Sequence, residues 1–161
     1  MATKALSAEP PLGAVIYVRR KRTALRLPAY KHYGVYAGGG RVIHFAAKGR
    51  GETDAKHALI QETTLERFAD GDRVHVEPAH SGAFSGEKTL LRAQSELGKR
   101  QGEYSLVFNN CEHFAHWCKY GKAWSSQVQH AVAGVAAAVV TAVAGMMIAA
   151  AAKRGKDSDR T

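Results

Sequence analysis

The first half of the chain alternates short runs of β-branched and aromatic residues with clusters of glycine, proline and charge, and the second half changes to helical spacing. Ala14 to Val18, His32 to Ala37 and Arg41 to Ala46 read as strands. The last two flank Gly38, Gly39 and Gly40, which predicts a hairpin with a glycine turn. Residues 47–57 are rich in Gly, Lys, Glu and Asp and read as an exposed loop. Strands are expected again at Leu59 to Thr63 and Arg73 to Glu77, with one helical turn over Thr64 to Ala69 between them. Leu90, Leu91 and Leu97 predict a helix over Glu87 to Leu97, stopped at Gly98. Phe114, Trp117 and Cys118, at i, i+3 and i+4, predict another from Asn110 to Tyr120, closed by Gly121 and with Cys111 in its first turn.

Residues 131–152 contain no charge, are rich in alanine, and are followed by Lys153, Arg154 and Lys156. As a helix rising about 1.5 Å per residue they would extend about 33 Å, enough to cross a bilayer core of about 30 Å. Valines, Ile148, Met146 and Met147 would drive insertion, in the absence of leucine and phenylalanine. The competing expectation is a small-residue helix packed within a soluble oligomer. Gly134, Ala138, Ala142 and Gly145 recur at helical intervals, as where two helices approach closely, so self-association through this segment is expected. The chain is thus divided into a loose lead-in (1–11), one domain (12–122), an apolar C-terminal helix (123–152) read as a membrane anchor, and a basic polar tail (153–161).

A length of 161 residues fits one compact core with tails. The formal charge of +9 calls for an acidic partner, either nucleic acid or an anionic bilayer. No nucleic-acid motif accompanies it: zinc-finger spacing is absent, and Arg19, Arg20, Lys21 and Arg22 form one short basic run. A membrane is the expected partner and nucleic acid is not. Cys111 and Cys118 lie seven residues apart in one predicted helix, about 10 Å along its axis, too far for a disulfide. Free thiols point to a reducing, cytoplasmic compartment.

A thiol attacks a carbonyl as the thiolate, which a helix N-terminus and a nearby imidazole both favour. Asn109 and Asn110 are good N-cap residues immediately before Cys111. A backbone N–H at the same helix start could also donate to the oxyanion formed on addition to an ester. Taken alone, Cys111 would more often be a buried small hydrophobe. His32 and His44 lie on the two strands of the glycine hairpin and can meet across it, one as base and the other fixing its tautomer. His57, His75, His80 and His130 have no such partners and read as surface or core residues. His113 and His116 could bind metal with the thiol, but no carboxylate cluster accompanies them, so neither a metal nor a cofactor is expected.

The strings Tyr30-Lys31-His32-Tyr33-Gly34-Val35-Tyr36, Val42-Ile43-His44-Phe45 and Asn110-Cys111-Glu112-His113-Phe114 resemble the signature blocks of the lecithin:retinol acyltransferase-like family. The resemblance runs from about Pro10 to Gly121. It implies an α+β, circularly permuted papain-like fold in which an antiparallel sheet packs on the nucleophile helix. It also implies Cys111 as nucleophile, His32 as base and His44 as third polar residue, with Tyr104 in support; Asn110, the expected N-cap, is the other supporting residue. The implied activity is transfer of an acyl group from a phospholipid through a cysteine thioester to an alcohol, an amine or water. Gly13-Ala14 departs from the family's usual Gly-Asp, at a position without a catalytic role. The same scaffold serves peptidases and amidases, and a membrane-associated adaptor without chemistry is the remaining alternative.

Overall fold

The computed structural model describes residues 9–20, 30–47, 57–99 and 110–126, with Gln129, Ala133, Gly134, Ala136, Ala137 and Thr141 beyond them. The strands are β1 (Val15–Arg20), β2 (Tyr30–Gly38), β3 (Arg41–Ala47), β4 (Ala58–Thr64) and β5 (Val74–Val76). The helices are α1 (Leu65–Ala69), α2 (Gly86–Ser95) and α3 (Cys111–Tyr120). All strand pairs are antiparallel, in the order β4-β3-β2-β1-β5. The fold is therefore mixed α+β around one five-stranded sheet. The predicted hairpin is present, with Gly38, Gly39 and Gly40 at φ of 85°, 55° and 68°, a left-handed path that only glycine takes without strain.

Both faces of the sheet are buried, which is why β1 reads as a nearly unbroken apolar run. Val15, Tyr33, Val35, Ile43 and Phe45 pack with Cys111, Phe114, Ala115 and Cys118 of α3 and with Ala93 of α2. The alternate residues Ile16, Val18, Tyr36 and Val42 pack with Phe68 and Ala69 of α1. Among the described residues, two helices thus cover one face and one short helix the other.

The ladders are unequal in length. β1 pairs with β2 as far as Arg20↔Tyr30, and β3 pairs with β4 as far as Ala47↔Ala58. The β2–β3 register, in contrast, runs only from Gly38↔Arg41 to Val35↔Ile43. From Tyr30 to Gly34, β2 keeps its register with β1. The candidate site lies at this end of β2, beyond the Val35↔Ile43 pair.

α1 is short and is held from outside. Thr64 caps its start by accepting from the Arg67 N–H at 3.2 Å. At its end, Arg20 Nη1 donates to the Ala69 carbonyl and to Asp72 Oδ2, each at 2.8 Å, and Nη2 donates to the Phe68 carbonyl at 2.8 Å. A guanidinium satisfying the last carbonyls of a helix meets the negative end of its dipole. The clamp fixes Phe68 under β2 and β3.

Gly34 makes room for that phenyl ring. A Cβ added there would lie 2.6 Å from Val42 Cγ1, 3.1 Å from Phe68 Cε2 and 3.3 Å from the Ile43 carbonyl oxygen. Gly34→Ala is expected to destabilise the protein by about 1–3 kcal/mol through overpacking, and chemical denaturation will measure it.

The chain divides into two compact units, residues 1–125 and 126–161. In the second, the described residues Gln129, Ala133, Gly134, Ala136, Ala137 and Thr141 are helical, and Thr141 Oγ1 donates to the Ala137 carbonyl at 2.9 Å. Most of the apolar stretch 131–152 falls outside the described residues. Among those described, no helix is long and apolar enough to cross a membrane.

Candidate active site

α3 begins with a complete capping box. Asn110 sits in extended backbone, and its Oδ1 accepts from the Glu112 and His113 N–H groups at 3.0 and 3.1 Å. Its own N–H donates back to His113 Nδ1 at 3.3 Å. Such a cap is worth about 1 kcal/mol, and it fixes the turn that bears Cys111. It also engages two of the amides that the sequence reading offered to an oxyanion, so an oxyanion donor has to come from outside that pair. The helix closes at Gly121, at φ 74°.

Cys111 is buried, and its Sγ lies 3.9 Å from the Lys31 carbonyl oxygen of β2. His32 is the next residue. Its ring is buried, and Nε2 is 2.9 Å from Nδ1 of His44. One nitrogen of that contact must donate and the other accept, so the pair shares one proton and each ring fixes the tautomer of its neighbour. The two rings meet edge to face, with centroids 5.1 Å apart, and lie 5.2 and 5.5 Å from the ring of Phe68.

Both imidazoles are held neutral. Burial, then the neighbouring His44 ring and the Arg20 cation, push His32 well below the ordinary value of 6.5. Burial, then Arg20 and Arg67, lower His44 to about 4. The Arg20 clamp therefore secures the Phe68 wall behind the pair and also disfavours its protonation.

The thiol belongs to the cluster on the α3 face, and the imidazoles lie against Phe68 of α1.

A second polar group supports the same helix. Glu112, directly after Cys111, is fully buried and accepts from Ser125 Oγ. One turn on, His116 is buried with Nε2 at 3.0 Å from Glu77 Oε1 and Nδ1 at 3.0 Å from the Trp124 carbonyl. Its ring stacks on Trp124 at 4.2 Å. Carboxylate and carbonyl oxygens only accept, so both ring nitrogens must donate and His116 is an imidazolium. Burial opposes the cation, but the bonds to Glu77 and to the Trp124 carbonyl, with the charges of Glu77 and Glu112, outweigh it and raise the pKa above 6.5.

The sign of the resulting pH dependence follows. A group whose pKa is higher folded than unfolded stabilises fully below the unfolded value, and that contribution disappears as pH rises through the folded value. His116→Ala is expected to cost about 2–3 kcal/mol below neutrality, less than a fully buried pair because Glu77 is partly exposed. The cost should shrink with rising pH, which denaturation at about pH 6 and about pH 9 will reveal.

Of the five site residues expected from the sequence, His32, His44, Cys111 and Asn110 occupy the places described above, whereas Tyr104 lies outside the described residues. Cys111 and Cys118 are both free thiols. Among the described residues no group of three metal-binding side chains occurs, and His113 and His116 serve the cap and the Glu77 pair respectively. Arg20, Glu112 and His116 were not singled out as part of the site's support. Arg20 looked like one member of a basic run, and its partners lie about fifty residues away.

The sheet, the buried imidazole pair and the thiol at a capped helix start define an α+β protein with a candidate thiol–imidazole centre. The family model for lecithin retinol acyltransferase matches residues 8–124, and the chain belongs to that family. It is 30% identical over 154 residues to human phospholipase A and acyltransferase 3, covering 88% of this chain and 86% of that protein. It is 32% identical over 147 residues to human phospholipase A and acyltransferase 2, covering 83% and 86%. With rat lecithin retinol acyltransferase it shares 32% identity over 124 residues, 62% of this chain and 53% of that protein. The family is one of acyltransferases and phospholipases.

Proposed function

We propose that the protein is a thiol-dependent acyltransferase and phospholipase acting on glycerophospholipid acyl esters, with Cys111 as nucleophile, His32 as base and His44 as its positioning partner. The supporting observation is the buried His32–His44 pair at 2.9 Å, beside a thiol set against the Lys31 carbonyl, in a member of this family. In this reading the His32 ring reaches the Cys111 thiol, whose Sγ faces the carbonyl of the preceding residue, Lys31.

His32 takes the Cys111 proton and the thiolate adds to the ester carbonyl. The C–O bond then breaks, the proton passes to the departing lysolipid oxygen, and the acyl group stays on sulfur. In the second half His32 deprotonates an alcohol, an amine or water, which displaces the thiolate from the thioester. The positive end of α3 favours the thiolate in both halves. Tyr104 is assigned a supporting role beside the thiol.

The topology proposed is a permuted papain-like domain over residues 12–122, in which the nucleophile helix follows the histidine strands. The lead-in 1–11 precedes it, the segment 123–152 anchors it to a membrane, and 153–161 form a basic tail. The catalytic unit works in a reducing compartment, at the bilayer that holds its substrate.

The test is incubation of the full chain with mixed phospholipids and a primary amine, measuring lysolipid, free fatty acid and N-acyl product together. Lysolipid formation with either acyl product supports the reading. A protein that cleaves peptide amides and leaves phospholipids intact would overturn it.

A further inference from the structure

The α3 face of the sheet carries a cationic cluster that the two-step reaction leaves without a role. Tyr17 is the cross-strand partner of His75 on β5 and of Tyr33 on β2, and Arg19 is the partner of Lys31. Alternation puts Tyr17, Arg19, Lys31, His75 and Arg73 on the side where Val15 and Tyr33 meet α3. The Tyr17 ring stacks on His75, with centroids 5.0 Å apart and planes 13° from parallel. Lys31 Nζ lies 4.6 Å above the Tyr17 ring.

These cations act on one place. After burial, the charges of Arg19, Arg73 and Lys31 are what hold His75 below its ordinary value. Among the described residues neither Arg19 nor Arg73 forms an ion pair, and both are exposed. Glu77, the acid directly after β5, is engaged by His116. Like charges gathered on a sheet face repel one another, and an anion seated among them relieves that repulsion.

Lys31 joins the cluster to the chemistry. Its side chain stands over the Tyr17–His75 platform while its carbonyl faces Cys111 Sγ at 3.9 Å. In a glycerophospholipid, a short glycerol unit separates the phosphodiester from the ester carbonyl. A phosphate held beside Lys31 therefore leaves the ester within reach of the thiol.

We infer that Arg19, Lys31 and Arg73, arrayed on the Tyr17–His75 platform, form a phosphate subsite that holds the phosphodiester of the acyl donor while its ester is presented to Cys111. The inference rests on the acyl-transfer reading. Arginine supplies planar, paired donors suited to phosphate, and lysine a point charge.

Two measurements on the full chain test it. In neutral-detergent micelles of phosphatidylcholine, Arg19→Gln/Arg73→Gln is expected to raise KM about tenfold or more, with a much smaller change in kcat. In proton NMR, glycerophosphocholine should shift the His75 ring signals of the wild type and leave those of the double variant in place. A matching shift with inorganic phosphate would assign the subsite to phosphate in general, and its absence to the phosphodiester; both outcomes support the inference. An unmoved His75 signal, or an unchanged KM in a wild type that makes lysolipid, overturns it. If the wild type makes no lysolipid, the acyl-transfer reading fails as well, and the NMR result alone decides whether a phosphate site exists.

Discussion

Cys111→Ala is expected to lower acyl transfer from phospholipid by at least about 10⁴-fold, since removing a covalent nucleophile leaves only binding and polarisation to accelerate the reaction. The side chain is small and buried within the α3 cluster, so the cost in stability should be about 1 kcal/mol. The comparison that matters is between turnover and thermal midpoint in the same preparation. Loss of activity with a nearly unchanged midpoint is the expected result. Cys118→Ala, the internal comparison, removes a thiol about 10 Å further along the same helix and should retain turnover. Wild-type activity in Cys111→Ala would end the thioester mechanism.

His32→Gln is the second large effect, a fall of about 10²–10⁴-fold in kcat/KM for acylation, the range that a positioned general base contributes. Glutamine keeps a polar group near His44 but cannot move a proton. The pH profile adds a readout that misfolding would not imitate. His32 and His44 both titrate below 6.5 in the folded state, so the wild-type rate should stay high as pH falls through 6.5 and drop only on further acidification. Replacing Arg20 by glutamine removes a cation that helps keep both rings neutral, and the acid limb should move to higher pH. Stability follows the same sign. The contribution of two histidines buried neutral is complete above the unfolded value of 6.5 and is lost as pH falls from there toward the folded values, about 4 for His44.

Much of the architecture was legible because local chemistry and tertiary position agree. Three successive glycines mark the β2–β3 turn, and Asn110 with Gly121 brackets α3 where helical spacing placed it. The pairing of His32 with His44 follows from their positions on one hairpin. The point at which the β2–β3 register ends was not legible, since both strands remain apolar through it. Nor was the support of the site. Arg20 reaches α1, His116 reaches Glu77 just after β5, and Glu112 meets Ser125, partners that no periodic pattern connects. Arg20 within a basic run and Glu112 in a helix's first turn carry no local signal of the partners that the fold gives them.

The family establishes the broad class of chemistry, within which Cys111 is the proposed nucleophile. The buried carboxylate next to Cys111 calls for comment, because a negative charge beside a thiolate is unfavourable at short range. Glu112 accepts from Ser125 Oγ, and the His116 cation one turn on partly neutralises it. The same imidazolium is tied to Glu77 and to the Trp124 carbonyl, so α3 is anchored at its middle as well as at its cap.

On the proposed mechanism the acyl group resides on Cys111 between donor and acceptor. Mixing the protein with phospholipid, quenching in acid during turnover and sequencing the peptides by mass spectrometry tests this directly. The expected adduct is one acyl chain on Cys111, removed by hydroxylamine and absent from Cys118. Steady lysolipid production with no acyl group on Cys111 at any time point would contradict it.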